Sequence, residues 1–96
     1  MIDFLIVSGI KKQTIDELKE NPSNMYDLSV NKEECVKIIS YLKLIGIKNI
    51  DELLLNSLGL FFKTKEEVAQ MFLKKDLLKM VELINKDSSN IDLLVE

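Results

Sequence analysis

The chain has no histidine, no tryptophan and no arginine; all 13 of its cations are lysine. Without histidine the usual proton shuttle near neutral pH is missing, and no thiol or hydroxyl can be paired with an imidazole base. Without arginine the best bidentate reader of phosphate and guanine is also missing. A single cysteine, Cys35, excludes an internal disulfide and a thiolate metal site built within one chain. One proline, Pro22, and three glycines, Gly9, Gly46 and Gly59, are too few for the many turns of an all-β fold. No apolar run approaches the length of about 18 residues expected of a membrane-spanning helix. The N-terminus does not read as a signal peptide: it lacks a basic start, carries Asp3 early, and its apolar run Phe4–Val7 is short. There is no glycine-rich phosphate loop and no metal-ligand spacing, so neither an enzyme nor a cofactor is expected.

What is present is apolar and helical. Ninety-six residues, 47% of them hydrophobic, suffice for one small domain with a single core. The net charge of −3 gives no overall pull toward nucleic acid or an anionic membrane, and the lone thiol fits a reducing cytoplasm.

The most informative feature is internal repetition. Phe4-Leu5-Ile6-Val7-Ser8-Gly9-Ile10-Lys11 matches Tyr41-Leu42-Lys43-Leu44-Ile45-Gly46-Ile47-Lys48, with the two glycines 37 residues apart. Ile15-Asp16-Glu17-Leu18 recurs as Ile50-Asp51-Glu52-Leu53, 35 residues on, and Lys32-Glu33-Glu34 as Lys65-Glu66-Glu67, 33 residues on. A period in this range marks stacked helical hairpins. The reading is a single all-α domain over residues 1–96, a small stack of short helical hairpins. Its units run approximately over 4–40 and 41–73, with a degraded third over 74–96.

Each unit has local signals. Residues 2–8 read as a short helix closed by Gly9, since a left-handed residue after a helix is easiest for glycine. Thr14 with Glu17 reads as a capping box, and Pro22 stops that helix by Asn21. Ser23 to Val30 reads as a connector with Met25, Tyr26 and Leu28 turned inward. Asn31 with Glu34 starts a helix to Ile45, whose stripe is Cys35, Ile38, Ile39, Leu42 and Ile45. Asn49 with Glu52 starts the next, Ser57 to Lys63 is a connector with Phe61 in the place of Tyr26, and Thr64 with Glu67 caps another helix. Residues 65–86 form either one long helix or two, and residues 87–96 cap the stack.

These spacings resemble the helical repeat of the mitochondrial transcription termination factor (mTERF) family. Leu42-Lys43-Leu44-Ile45-Gly46-Ile47 is similar to that family's first element, Ile15-Asp16-Glu17-Leu18 with Pro22 to its second, and Leu28-Ser29 before Asn31 to its third. The resemblance spans roughly residues 4–73 and implies a curved helix stack with a nucleic-acid-binding groove. The family's groove is basic, whereas this chain is acidic and lacks arginine.

The functional candidates follow from these patterns. The acidic pairs Asp16/Glu17, Glu33/Glu34, Asp51/Glu52 and Glu66/Glu67 are each expected in a first helical turn, where negative charge meets the helix dipole. Cys35 lies on an apolar stripe and reads as core. Leu53-Leu54-Leu55 cannot all face inward from one helix. With Leu58-Gly59-Leu60-Phe61-Phe62 they form the densest apolar region. Leu54, Leu55, Leu58, Phe61 and Phe62 are therefore the candidate protein-binding residues. The expected role is a non-enzymatic interaction module: a small cytoplasmic regulator, inhibitor or accessory protein that binds another protein or itself, and no membrane. The alternative, which the resemblance implies, is a nucleic-acid binder that uses a lysine edge of Lys11, Lys12, Lys48, Lys74 and Lys75 for phosphate contacts.

Overall fold

A computed structural model describes residues 4–94. Asp3, the start of the expected 2–8 helix and the two ends of the 1–96 domain lie outside the described residues. Those residues form α1 (Phe4–Val7), α2 (Lys12–Leu18), α3 (Pro22–Val30), α4 (Lys32–Ile45), α5 (Ile50–Asn56), α6 (Lys65–Leu73) and α7 (Leu77–Lys86), with 3-10 helices at Leu58–Phe62 and Ser88–Leu94. No strand occurs among them, and the domain is all-α. Its extents are 35 × 24 × 23 Å.

The long helix α4 shows why these elements form. Cys35, Ile38, Ile39 and Leu42 recur every three or four residues and are all buried, so one stripe faces the core. Glu33 and Glu34 sit in the first turn and Lys43 in the last, each matching the local sign of the helix dipole. Gly46 ends the helix at φ +101°, with the Ile47 N–H donating to the Leu42 carbonyl at 2.9 Å. Gly9 repeats this at φ +93°, with the Ile10 N–H on the Leu5 carbonyl at 2.9 Å. Both are six-to-one closures that need a left-handed residue. A Cβ on Gly46 would meet Val81 Cγ1 at an ordinary 3.6 Å, so backbone strain alone opposes a side chain there. Gly46→Ala should therefore destabilise the fold by about 1–2 kcal/mol, seen as a lower urea midpoint at unchanged slope.

The structure corrects several local expectations. Ser23–Val30 is not a connector but most of a nine-residue helix, α3. Pro22 both stops α2 and starts α3, at whose first position its missing N–H costs nothing; the Asn21 side chain accepts from the Ser23 N–H at 3.1 Å. In that helix Tyr26 lies about 200° around from buried Leu28, so it points outward and is 57% exposed. Residues 65–86 are two helices, broken without glycine by Asp76, whose carboxylate accepts from the Lys79 N–H at 3.2 Å. Of the four expected cap pairs only Thr64 and Glu67 close locally, as a reciprocal capping box.

α4 packs between α1 and α6, α2 packs on α5, α3 packs on the 3-10 helix Leu58–Phe62, and α7 packs on the 3-10 helix Ser88–Leu94. Matched positions share burial: Leu5 and Leu42, Ile10 and Ile47, Ile15 and Ile50, and Leu18 and Leu53 are buried, while Val7 and Leu44 are exposed. Leu28 is fully buried 33 residues before fully buried Phe61, so Leu28 rather than Tyr26 is the counterpart of Phe61.

Candidate interaction surfaces

The apolar candidates separate into core and surface. In α5, Ile50, Leu53 and Leu54 share one helical face and are buried, which leaves Leu55 outward and 38% exposed. A 3-10 helix repeats every three residues, so Leu58 and Phe61 face inward while Gly59 and Phe62 face outward. Phe61 is fully buried and Phe62 is 39% exposed. Leu54 and Phe61 are therefore corrected from binding candidates to core residues. Leu55 and Phe62 remain, on α5 and on the 3-10 helix packed against it, while half-buried Leu58 packs against the core.

The polar candidates turned out to act between helices. Asp51 reaches from α5 to the start of α2, where its Oδ2 accepts from the Lys11 N–H at 2.9 Å and the Thr14 hydroxyl at 2.8 Å. Thr14 is thus not an N-cap; it lies within α2 and ties it to α5. At the matching turn one unit on, Asn85 Oδ1 accepts from the Lys48 N–H at 2.7 Å, while Asn85 Nδ2 donates to the Gly46 carbonyl at 2.9 Å. Asn31 Nδ2 donates to the Phe61 and Lys63 carbonyls, and Asn49 Nδ2 to that of Ile84. Glu34 Oε1 accepts from the Lys65 N–H at 2.8 Å and so caps α6 from α4. That backbone hydrogen bond, with the Lys37 ammonium beside it, holds the Glu34 carboxyl below its ordinary range. Lys43 Nζ donates to the Ser8 carbonyl, which joins α4 to the turn after α1.

Asp16 and Glu17 lie in the second turn of α2 rather than its first. The other three acidic pairs occupy first turns. Among the described residues, no group of three or more His, Cys, Asp or Glu side chains is placed to hold a metal ion.

The lysine candidates are all exposed; Lys11, Lys48, Lys74 and Lys75 fall on the turns joining α1 to α2, α4 to α5, and α6 to α7, and Lys12 is the first residue of α2. Carboxylates stand among them. Asp51 holds the Lys11 N–H, Asp76 follows Lys75, and Lys74 shares a shallow groove with Glu66 and Glu67.

Cys35 is fully buried in α4, and burial pushes its thiol up to about 12. A thiol reagent added to the native protein at pH 8 should label it only at the rate of unfolding; immediate labelling would show an accessible thiolate. No helix among the described residues is long and apolar enough to cross a membrane. No protein-family model matches the chain, and neither does any curated protein or solved structure among those compared.

Proposed function

We propose that this chain is a short stack of helical hairpins serving as a non-enzymatic interaction module. It binds another protein through the apolar surface of Leu55 and Phe62, as a small regulator, inhibitor or accessory subunit would. The carrying observation is that Leu55 and Phe62 are each more than a third exposed on elements that pack against each other. Large apolar side chains gathered on a rigid surface mark protein contacts. The acceptors that cross from one helix to the next, Asp51, Asn85 and Glu34, support the stacked reading.

A nucleic-acid-binding role like that of the mTERF family is the competing reading. Its support is the placement of Lys11, Lys12, Lys48, Lys74 and Lys75 on or beside three helix-joining turns. The carboxylates near those turns, and the net charge of −3, weigh against it.

The double variant Leu55→Asp/Phe62→Asp tests the preferred reading. It should keep its helical ellipticity, because both side chains are already partly in water, and lose more than tenfold in affinity for any protein the unaltered chain captures. Unchanged capture would reject this patch. Fluorescence anisotropy with labelled DNA and RNA should show no binding at low salt. Micromolar binding that weakens steeply with salt would favour the lysine edge instead.

A further inference from the structure

The two ends of the helix stack differ chemically. At the α6–α7 end, the Thr64–Glu67 box and the Asp76 cap satisfy their own helices. At the α1–α2 end, two positions whose counterparts join a neighbouring unit are left open. Asp16 holds the place of Asp51, and Ile6 the place of Lys43. Asp51 takes the Lys11 N–H and the Thr14 hydroxyl, and Lys43 takes the Ser8 carbonyl. Asp16 is exposed and its carboxylate has no partner among the described residues; Ile6 is 53% exposed. Asp51 faces α2 from the second residue of α5, and Asp16, its match in the repeated Ile-Asp-Glu-Leu, is the fifth residue of α2, about 200° around the helix from Thr14.

We propose that this α1–α2 edge docks a helical hairpin of another polypeptide. The hairpin it fits has a turn with an open backbone N–H and a Ser or Thr hydroxyl three residues on, the donor pair that Lys11 and Thr14 present to Asp51. Asp16 accepts both donors, and Ile6 covers the apolar flank of the incoming turn. The complementary surface is present in this chain, where α5 is seated on α2 through that donor pair. A second copy is not the occupant, because both glycine turns of the chain already have their acceptors, Asp51 and Asn85. The inference rests on the stacked-hairpin reading proposed above.

The test supplies a neighbour for this edge. Residues 4–40 are duplicated in tandem, so that the added copy precedes Phe4 of the full chain and offers its own Lys11 and Thr14 to Asp16. The added unit should raise the helical ellipticity. Asp16→Ala, made in the copy that adjoins residues 41–96, should then lower Tm by about 5–10 °C, the size expected for loss of one charge-assisted joint. The same substitution in the unduplicated chain should leave Tm unchanged. If Asp51→Ala lowers Tm in the unduplicated chain but Asp16→Ala does not in the tandem chain, the edge does not accept hairpins and the inference is overturned. An added unit that contributes no ellipticity overturns it as well. If Asp51→Ala is itself silent, the stacked reading fails first. Sedimentation equilibrium of the unduplicated chain should show a monomer at this edge. A dimer that Asp16→Ala or Ile6→Asp dissociates would assign the edge to a second copy and overturn the inference.

Discussion

Phe61→Ala should remove a large share of the protein's stability, whereas Phe62→Ala should leave it almost unchanged. Phe61 is fully buried, and its 3-10 helix packs against both α3 and α4. Truncating such a phenylalanine removes its transfer free energy and leaves a cavity, at a cost of about 3–5 kcal/mol. A domain of this size has on the order of 5–15 kcal/mol of stability in total, so one substitution takes a large share. Phe62 is 39% exposed and opens no comparable cavity; its loss should cost about 1 kcal/mol or less. Urea denaturation followed by circular dichroism reads both. Equal losses at the two positions would mean that the 3-10 register assigned to Leu58–Phe62 is wrong.

Asp51→Ala should be the most damaging change at any partly exposed polar residue. Its Oδ2 accepts from the Lys11 N–H and the Thr14 hydroxyl, and Thr14 is only 5% exposed. Hydrogen bonds to an ionised group contribute about 1.5–3 kcal/mol each when dry, and less where water reaches them, as at Lys11. A net loss of about 2 kcal/mol is expected, equivalent to about 10 °C in Tm for a domain of this length. The control is Asp16→Ala, which removes the sequence counterpart and should change stability by less than about 0.5 kcal/mol, because Asp16 is exposed and has no partner among the described residues. A double-mutant cycle with Thr14→Val isolates the joint. Strict additivity of Asp51→Ala and Thr14→Val would show that the two side chains do not interact.

Much of the architecture was legible before any coordinates. The stripe Cys35, Ile38, Ile39 and Leu42 is a three-four periodicity that only a helix buries on one side, and all four are buried. Gly9 and Gly46 are left-handed helix ends as expected, because few other residues adopt that conformation cheaply. The failures are local and share a cause. Asn31, Thr14 and Asn49 are good N-cap residues by type, but a side-chain amide or hydroxyl bonds whichever partner the packing brings near. Here those partners came from sequence-distant helices: Phe61 and Lys63, Asp51, and Ile84. Pro22 both stops one helix and starts the next, because its fixed φ serves a helix start equally well.

The candidate surface was half legible. The sequence showed that Leu53, Leu54 and Leu55 could not all be buried by one helix, and Leu55 is the one left out. Which of Phe61 and Phe62 would be covered depended on whether their segment turned every three residues or every 3.6. That choice was made by packing against α3, α4 and α5, not by the segment itself.

By itself, the sequence determined the helical class, the turn positions and most of the core, because periodicity, glycine conformation and residue polarity act over a few neighbouring residues. Only the tertiary structure decided that Asp51, Asn85, Asn31 and Glu34 join one helix to the next, and that Asp16 and Ile6 stand at an open edge. Those roles depend on which helices lie side by side, and proximity between residues some 30 to 40 positions apart is a property of packing, not of local sequence.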